Sequence, residues 1–380
     1  MIAFNLVGTD KNSGTKTYNI NFLKQINSNF LDEDLIVYVP KSYADNIELN
    51  SNNKITYKIK SNLLNNFILR FFWLQIWFPL ELKNNKVTTL FSACNYSPIL
   101  IKILNIRSVL FIHSVIPWQY LNLLPGSKFK NILIKKMMEI SIQNADHIIV
   151  PSYYAKKVLF EKFNKHKIKV TTIYLGADHI IEKIKNKNKI NNFDYTSRYI
   201  LSVLSCVKYH NILNLLKAYK KFINENNLEI NYVIINNILD KSYFKVLNNF
   251  VENNFDKGRV IFLSNIDNEY LPNIYKNSLI YLFSSYSETF GFSTLEAMNY
   301  NIPLLVSKTS ALEEINGNFA EYFNPDDVDE IKNKIAKIFK DTEHSKNKEI
   351  FFKKRNETQL KKFLWKENYL QTIKILRNDN

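Results

Sequence analysis

Two acidic residues eight positions apart, Glu288 and Glu296, lie in the stretch SSYSETFGFSTLEAMNYNIPLLVS, residues 284–307. Between them stand Phe290-Gly291-Phe292 and the hydroxyl pair Ser293-Thr294. The preceding run LIYLFSS (279–285) reads as a buried strand, and STLEAMNY (293–300) begins a helix. A helix start leaves backbone amides without intrahelical acceptors and carries the positive end of the helix dipole, so it attracts anions. A glycine just before it permits a positive φ or a close approach of backbone to ligand. Carboxylates, in turn, accept hydrogen bonds from hydroxyl groups. Phosphate beside hydroxyls is the chemistry of a nucleotide sugar. Two plainer roles stand beside this one: Ser293 followed by Glu296 has the spacing of a capping box, and Glu288 could be a solvated loop acid.

The elements that must position these residues follow a repeating plan. In the first half, strand-like runs occur at 2–7, 35–40, 87–93, 108–113, 147–151 and 169–174; in the second half, at 198–204, 231–237, 259–264, 279–285 and 302–307. They are continuous Val/Ile/Leu runs rather than alternating ones, which suits strands buried on both faces. Longer helix-like segments separate them. The expected fold class is therefore α/β, with two Rossmann-like, doubly wound parallel-sheet domains. The polar, basic segment 183–197 has no core pattern and reads as a linker between a domain of residues 1–182 and one of residues 198–361. Ligands of such folds sit at the carboxyl ends of the strands, here in a cleft between the two sheets.

Charge is unevenly placed. Of a net +16, residues 1–190 hold 26 Lys and Arg against 12 Asp and Glu, and residues 191–380 hold 25 against 23. A basic first half calls for an anionic partner: a membrane surface, a nucleic acid or an acidic glycan. Cys94 and Cys206 match no metal or redox spacing, which points to a reducing compartment. The N-terminus MIAFNLVGTD lacks the features of a signal peptide. The most apolar run, FILRFFWLQIWFPL (67–80), contains Arg70 and falls short of the roughly 20 residues of a spanning helix. As a helix it would be apolar all round, which implies burial or contact with lipid. The segment 127–138 mixes Lys128, Lys130, Lys135 and Lys136 with Ile132, Leu133, Met137 and Met138. It could lie on an anionic leaflet or be a solvated face over a core stripe.

At this point the stretch resembles the retaining glycosyltransferases of the family-four type (glycosyl transferases group 1), of GT-B architecture. Glu288-Thr-Phe-Gly-Phe-Ser-Thr-Leu-Glu296 matches their E-x7-E motif, and Ile302-Pro303-Leu-Leu-Val-Ser, Ser310-Ala-Leu-Glu-Glu314-Ile-Asn-Gly317 and Glu321-Tyr-Phe-Asn-Pro325 continue it. Asn144-Ala-Asp146-His-Ile-Ile-Val-Pro-Ser152, Tyr174-Leu-Gly176-Ala-Asp178 and Phe363-Leu-Trp365 resemble further family segments, the last marking a C-terminal helix (about 362–380) that packs back on the first domain. The resemblance implies that Glu288 binds donor-sugar hydroxyls beside the anomeric carbon and that Glu296 holds the ribose. Gly291, Phe292, Ser293 and Thr294 would face sugar and diphosphate. Gly14 and Thr15 would bring the first strand–helix loop to the diphosphate, and His113 would contact the donor sugar. The sequence departs from the family at Ser205 and His210, which stand where many members carry an arginine and a lysine on the diphosphate; Lys208 lies between them. Asn301 and Ser264 replace glycines common in the family.

The expected function is metal-independent transfer, with retention, of a hexose (mannose- or rhamnose-like) from a nucleotide diphosphate. None of the strands read here ends in Asp-x-Asp, and no cofactor is expected. The basic first half fits an acceptor glycan or glycolipid carried on an anionic membrane, as in lipopolysaccharide or other surface-polysaccharide synthesis, and places the chain in the cytoplasm at the inner membrane face. Other readings stay open: an epimerase or hydrolase of nucleotide sugars with the same fold, an inactive relative, and a basic nucleic-acid-binding protein. The last would leave the paired glutamates unexplained.

Overall fold

The computed structural model describes all residues except 9–13, 30–32, 46, 51–53, 165, 182–188, 191–192, 195–196, 267–269, 344–357 and 378–380. Contacts divide the chain into two units: residues 1–118, 132–176 and 364–380 form the first, and residues 119–131 and 177–363 the second. Residues 119–131, inside the 1–182 span expected for the first domain, thus group with the second unit. Most of the 183–197 segment lies outside the described residues; the part that is described contains a short antiparallel pair, β8 (Lys189–Ile190) and β9 (Phe193–Asp194).

The first unit is built on seven parallel strands: β1 (Ile2–Asn5), β2 (Leu35–Pro40), β3 (Ile55–Lys60), β4 (Thr89–Ser92), β5 (Arg107–Phe111), β6 (His147–Val150) and β7 (Val170–Thr172). Their order is β3-β2-β1-β4-β5-β6-β7. The second unit has six: β10 (Tyr199–Val203), β11 (Asn231–Asn236), β12 (Val260–Ser264), β13 (Ser278–Phe283), β14 (Leu304–Ser307) and β15 (Ala320–Phe323), in the order β12-β11-β10-β13-β14-β15. Strand order reverses between β1 and β4 and between β10 and β13. These are the switch points where helices leave to opposite faces and open a ligand crevice. Both sheets are parallel throughout, as continuous apolar runs require. The eleven runs named from the sequence coincide with strands, whereas β3 and β15 were not anticipated. Their burial alternates or is partial, because each lies at a sheet edge and needs few apolar residues.

An aromatic layer closes one face of the first sheet. Tyr18 and Phe22 of the Gly14–Ser28 helix meet Phe4, Phe91 and Phe111 from the strands and Trp365 and Tyr369 from the last helix, Trp365–Arg377. Gly176 is required here: a Cβ on it would lie 2.4 Å from the Trp365 ring and backbone. The two sequence signals Leu-Gly176-Ala and Phe-Leu-Trp365 are therefore two sides of one contact.

On the other face, the apolar run 67–80 forms the Phe67–Phe72 helix, a wide π-type turn at Trp73–Trp77 and the Phe78–Asn84 helix. Trp73, Leu74, Phe78 and Leu82 enter the core with Ala3, Tyr38 and Leu90. Ile68, Leu69, Phe72, Ile76, Trp77 and Leu80 remain exposed, Ile68 at 62%. Burial and exposure thus divide this run between them. The lysine-rich segment opens the Lys128–Asn144 helix, where Met137 and Met138 are buried but Phe129, Ile132 and Leu133 are exposed.

Candidate functional site in the second unit and its family

Glu288 stands on the loop after β13, and that loop is fixed from both sides. Its backbone N–H donates to Ser310 Oγ at 2.8 Å, and its carbonyl accepts from the Ala311 N–H at 3.2 Å. Upstream, Ser307 Oγ and Thr309 Oγ1 both donate to the Ser285 carbonyl, at 2.8 and 2.6 Å. The Tyr286 N–H donates to the Tyr209 carbonyl at 2.8 Å, which ties this loop to the one after β10. Buried Ser285, Ser287 and Thr289 supply the polar packing.

The loop after β10 carries Ser205, Lys208 and His210. A short turn, Lys208–His210, ends on Asn211 in the left-handed region (φ 52°), and the Ile212–Asn226 helix follows. His210 is 7% exposed. Its Nδ1 lies 2.6 Å from the Ser205 carbonyl and its Nε2 3.1 Å from Glu288 Oε1. His210, which stands where many family members carry a lysine, has its ring turned onto Glu288. Lys208 is exposed, and its charge favours the carboxylate of Asp240, the N-cap of the Lys241–Asn254 helix.

The helix that follows Glu288 starts at Phe292, with Gly291 as its N-cap at φ 97°. A side chain at Gly291 would be strained there, and its Cβ would come within 2.9 Å of Leu312. Thr294 closes the first turn, its Oγ1 donating to the Gly291 carbonyl at 2.8 Å. The Ser293–Glu296 capping box does not form. The helix begins two residues earlier than the box needs, so Glu296 lies one turn inside it and Ser293 faces the Tyr281 phenol. Glu296 Oε2 instead accepts from the Tyr275 hydroxyl at 2.7 Å, and burial raises the pKa of this carboxyl although the Tyr275 bond opposes the rise. Tyr275 stacks flat on Tyr300, with 5.5 Å between ring centres. Nothing in sequence spacing marks Tyr275; it reaches Glu296 only because the Leu271–Lys276 helix packs beside the Phe292–Asn299 helix.

Asn301, which replaces a family glycine, adopts φ 57°, a left-handed conformation that Asn tolerates better than most residues. Ser264 has no such backbone; its hydroxyl donates to Asn236 Oδ1 at 2.8 Å.

In the first unit, Gly14 and Thr15 open the Gly14–Ser28 helix, while Asn12 and Ser13 lie outside the described residues. His113 follows β5 by two residues rather than ending it. Its backbone N–H donates to Asn95 Oδ1 at 2.6 Å. Its Nε2 lies 2.9 Å from the Ala93 carbonyl and so carries the hydrogen, which leaves Nδ1 as the lone-pair atom. Packed against Phe111 and Tyr18, the ring has its pKa lowered to about 4 by burial. It is neutral near pH 7, able to orient a hydroxyl but not to neutralise phosphate. Arg70 was not among the residues singled out for a role; it is buried, with Nη1 donating to the Leu64 carbonyl at 2.8 Å and Nε to Tyr96 Oη at 3.3 Å.

The structure thus gathers Ser205, His210, Glu288, Gly291, Phe292, Ser293, Thr294 and Glu296 at the carboxyl end of the second sheet, and Gly14, Thr15 and His113 at that of the first. A fixed carboxylate beside a helix start can accept sugar hydroxyls while amides and dipole meet an anion.

Two family models match the chain. The Glycosyltransferase Family 4 model matches residues 14–179 and the Glycosyl transferases group 1 model residues 183–355. The chain belongs to the group 1 glycosyltransferases. Among relatives, it is 26% identical over 227 residues to the O-antigen chain mannosyltransferase RfbU of Salmonella typhimurium, covering 60% of this chain and 59% of that protein. It is 25% identical over 249 residues to the O-antigen chain mannosyltransferase B of Escherichia coli, covering 63% and 62%. The match therefore spans about three fifths of those relatives' length. Among solved structures, Anabaena Alr3699/HepE in complex with UDP and glucose superposes with a TM-score of 0.73 at 13% identity, over 99% of each chain. A sucrose-phosphate synthase from Thermosynechococcus elongatus gives 0.71 at 16%, over 99% of this chain and 98% of that one. At such identities the likeness establishes the GT-B fold alone.

Proposed function

We propose that this group 1 glycosyltransferase moves a hexose, mannose-like in type, from a nucleoside diphosphate to a surface-polysaccharide acceptor such as a growing O-antigen, with retention at the anomeric carbon. The observation that carries the proposal is the placement of Glu288 and Glu296 about the start of one helix, behind a left-handed Gly291, at the switch point of a parallel sheet. The O-antigen mannosyltransferases among the relatives support the sugar and acceptor class.

Glu288 receives donor-sugar hydroxyls, Glu296 the ribose, and the first-turn amides meet the diphosphate. In the first unit, Gly14 and Thr15 at their helix start meet phosphate, and His113 orients a hydroxyl through its neutral Nδ1. Leaving-group charge is met by amides, helix dipole and Lys208, the electrostatic form of catalysis, without a divalent cation. The work takes place in the cytoplasm at the inner face of an anionic membrane, which receives the basic first half; no nucleic-acid partner is involved.

The test is a thermal-shift panel of GDP, UDP and dTDP and their sugars, followed by transfer assays with lipid-extracted acceptor in EDTA. Stabilisation by one base over the others and transfer insensitive to EDTA are expected. A panel without any response, or transfer that EDTA abolishes and Mg²⁺ restores, would refute the corresponding part.

A further inference from the structure

We infer that His210 is a positioning residue for Glu288 and not a cation for the diphosphate. The inference rests on the nucleotide-sugar reading of this site and adds a role particular to this chain, in which His210 stands where many family members carry lysine.

The argument is one of hydrogen-bond directions. A carbonyl oxygen can only accept, so the Ser205 contact of 2.6 Å fixes a hydrogen on Nδ1. The other ring nitrogen, Nε2, then faces Glu288 Oε1 at 3.1 Å. Two lone pairs cannot face each other at that distance, so one proton lies between imidazole and carboxylate. Both nitrogens are thereby engaged within the protein, and neither is directed at a separate anion.

The ring has little freedom to turn away. It is 7% exposed, and its centre lies 4.6 Å from that of the Tyr209 ring, edge to face, and 5.9 Å from that of Phe283. Asn211, next in sequence, is anchored by its Nδ2 donating to the Pro325 carbonyl at 2.6 Å. The partner is equally constrained: the Glu288 backbone is held by Ser310 and Ala311, and its side chain is only 17% exposed. His210 therefore selects one rotamer of Glu288 and presents the remaining carboxylate lone pairs in one direction, the preorganisation that a sugar-binding group requires.

The two roles differ in which ligand loses affinity when the ring is removed. A diphosphate cation contributes equally to nucleoside diphosphate and nucleotide sugar; a residue acting through Glu288 contributes only when the sugar is present. The full chain, as wild type, His210→Ala and His210→Gln, is titrated calorimetrically with GDP, UDP and dTDP and with GDP-mannose, UDP-glucose and dTDP-rhamnose, and kcat and KM are measured with the sugar that binds. His210→Ala is expected to hold the nucleoside diphosphate within about twofold of wild type and to lose the matching nucleotide sugar by about tenfold or more, the size of one charge-assisted hydrogen bond. His210→Gln, whose amide donates to Glu288 without carrying charge, is expected to recover most of that loss and of kcat. Retained diphosphate binding also reports that the variant is folded; if His210→Ala unfolds, His210→Leu, closer in volume, takes its place. Equal losses for both ligands, no rescue by Gln, or no loss at all would overturn the assignment. A wild-type chain that binds none of the six probes would overturn the nucleotide-sugar reading itself.

Discussion

At the scale of single residues, each carboxylate of the Glu288/Glu296 pair is held by a ring donor from outside the motif, His210 for the first and Tyr275 for the second. Substituting Tyr275→Phe removes the donor but not the burial of Glu296, so the carboxylate loses the 2.7 Å hydrogen bond from the Tyr275 hydroxyl. Nucleotide affinity is expected to fall about tenfold with little change in kcat, measured by nucleoside diphosphate titration and steady-state kinetics; an unchanged affinity would separate Glu296 from the ribose. Protonation gives a second expectation. His113 and His147 both have pKa values lowered to about 4 by burial, against an ordinary 6.5. The unfolded chain then binds more protons between these values, so stability is full above about pH 6.5 and declines as pH falls towards 4. Each histidine contributes up to about 3 kcal/mol to that decline. Thermal unfolding across this window should show it, and His147→Gln should flatten it while leaving transfer at neutral pH intact. The paired acids and Gly291 were legible in sequence because a local motif carries them. The ring donors were not: His210 reaches Glu288 and Tyr275 reaches Glu296 across separate elements, and only packing brings them together.

At the scale of elements, glycine positions decide where chain segments may touch. Gly176→Ala would drive a methyl group into the Trp365 ring and backbone, 2.4 Å from the ideal Cβ position. Since neither partner can yield cheaply, a loss of about 2–4 kcal/mol is expected in denaturant unfolding. A loss under 1 kcal/mol would mean that the last helix shifts freely on the sheet. Strands were readable where both faces are buried, as in Leu35–Pro40 and Asn231–Asn236, whose apolar runs match their observed bounds closely. β3 escaped because Thr56, Lys58 and Lys60 alternate with its apolar residues, and β15 because its four residues Ala-Glu-Tyr-Phe carry too short a pattern. The N-cap of the Phe292–Asn299 helix was placed two residues late, since the Ser293-x-x-Glu296 spacing suggested a cap at Ser293 while the backbone used the freedom of Gly291.

At the scale of the whole molecule, charge and apolar exposure meet on the first unit. Ile68, Phe72, Ile76 and Leu80 recur every four residues along one exposed line, with Leu100 and Ile103 exposed on the neighbouring Ile99–Leu104 turn, where the Ile99 N–H donates to Gln75 Oε1. Among the described residues no helix is long and apolar enough to cross a membrane. Sedimentation with anionic liposomes, release by salt near physiological strength and weakened binding of Ile76→Ser/Leu80→Ser are the expected outcomes; equal binding to neutral liposomes would remove charge from the account. The Trp365–Arg377 helix has a consequence of another kind. It covers Tyr18 and Phe22, its Tyr369 hydroxyl donates to the Asn29 carbonyl, and Arg377 pairs with Glu33 at 2.5 Å. Residues 18–29 and Glu33 thus complete their packing only when residues 365–377 join them. At roughly 5–20 residues per second, synthesis of the stretch between them leaves that aromatic wall uncovered for tens of seconds, and a chain cut before Trp365 is expected to leave this face of its first sheet bare.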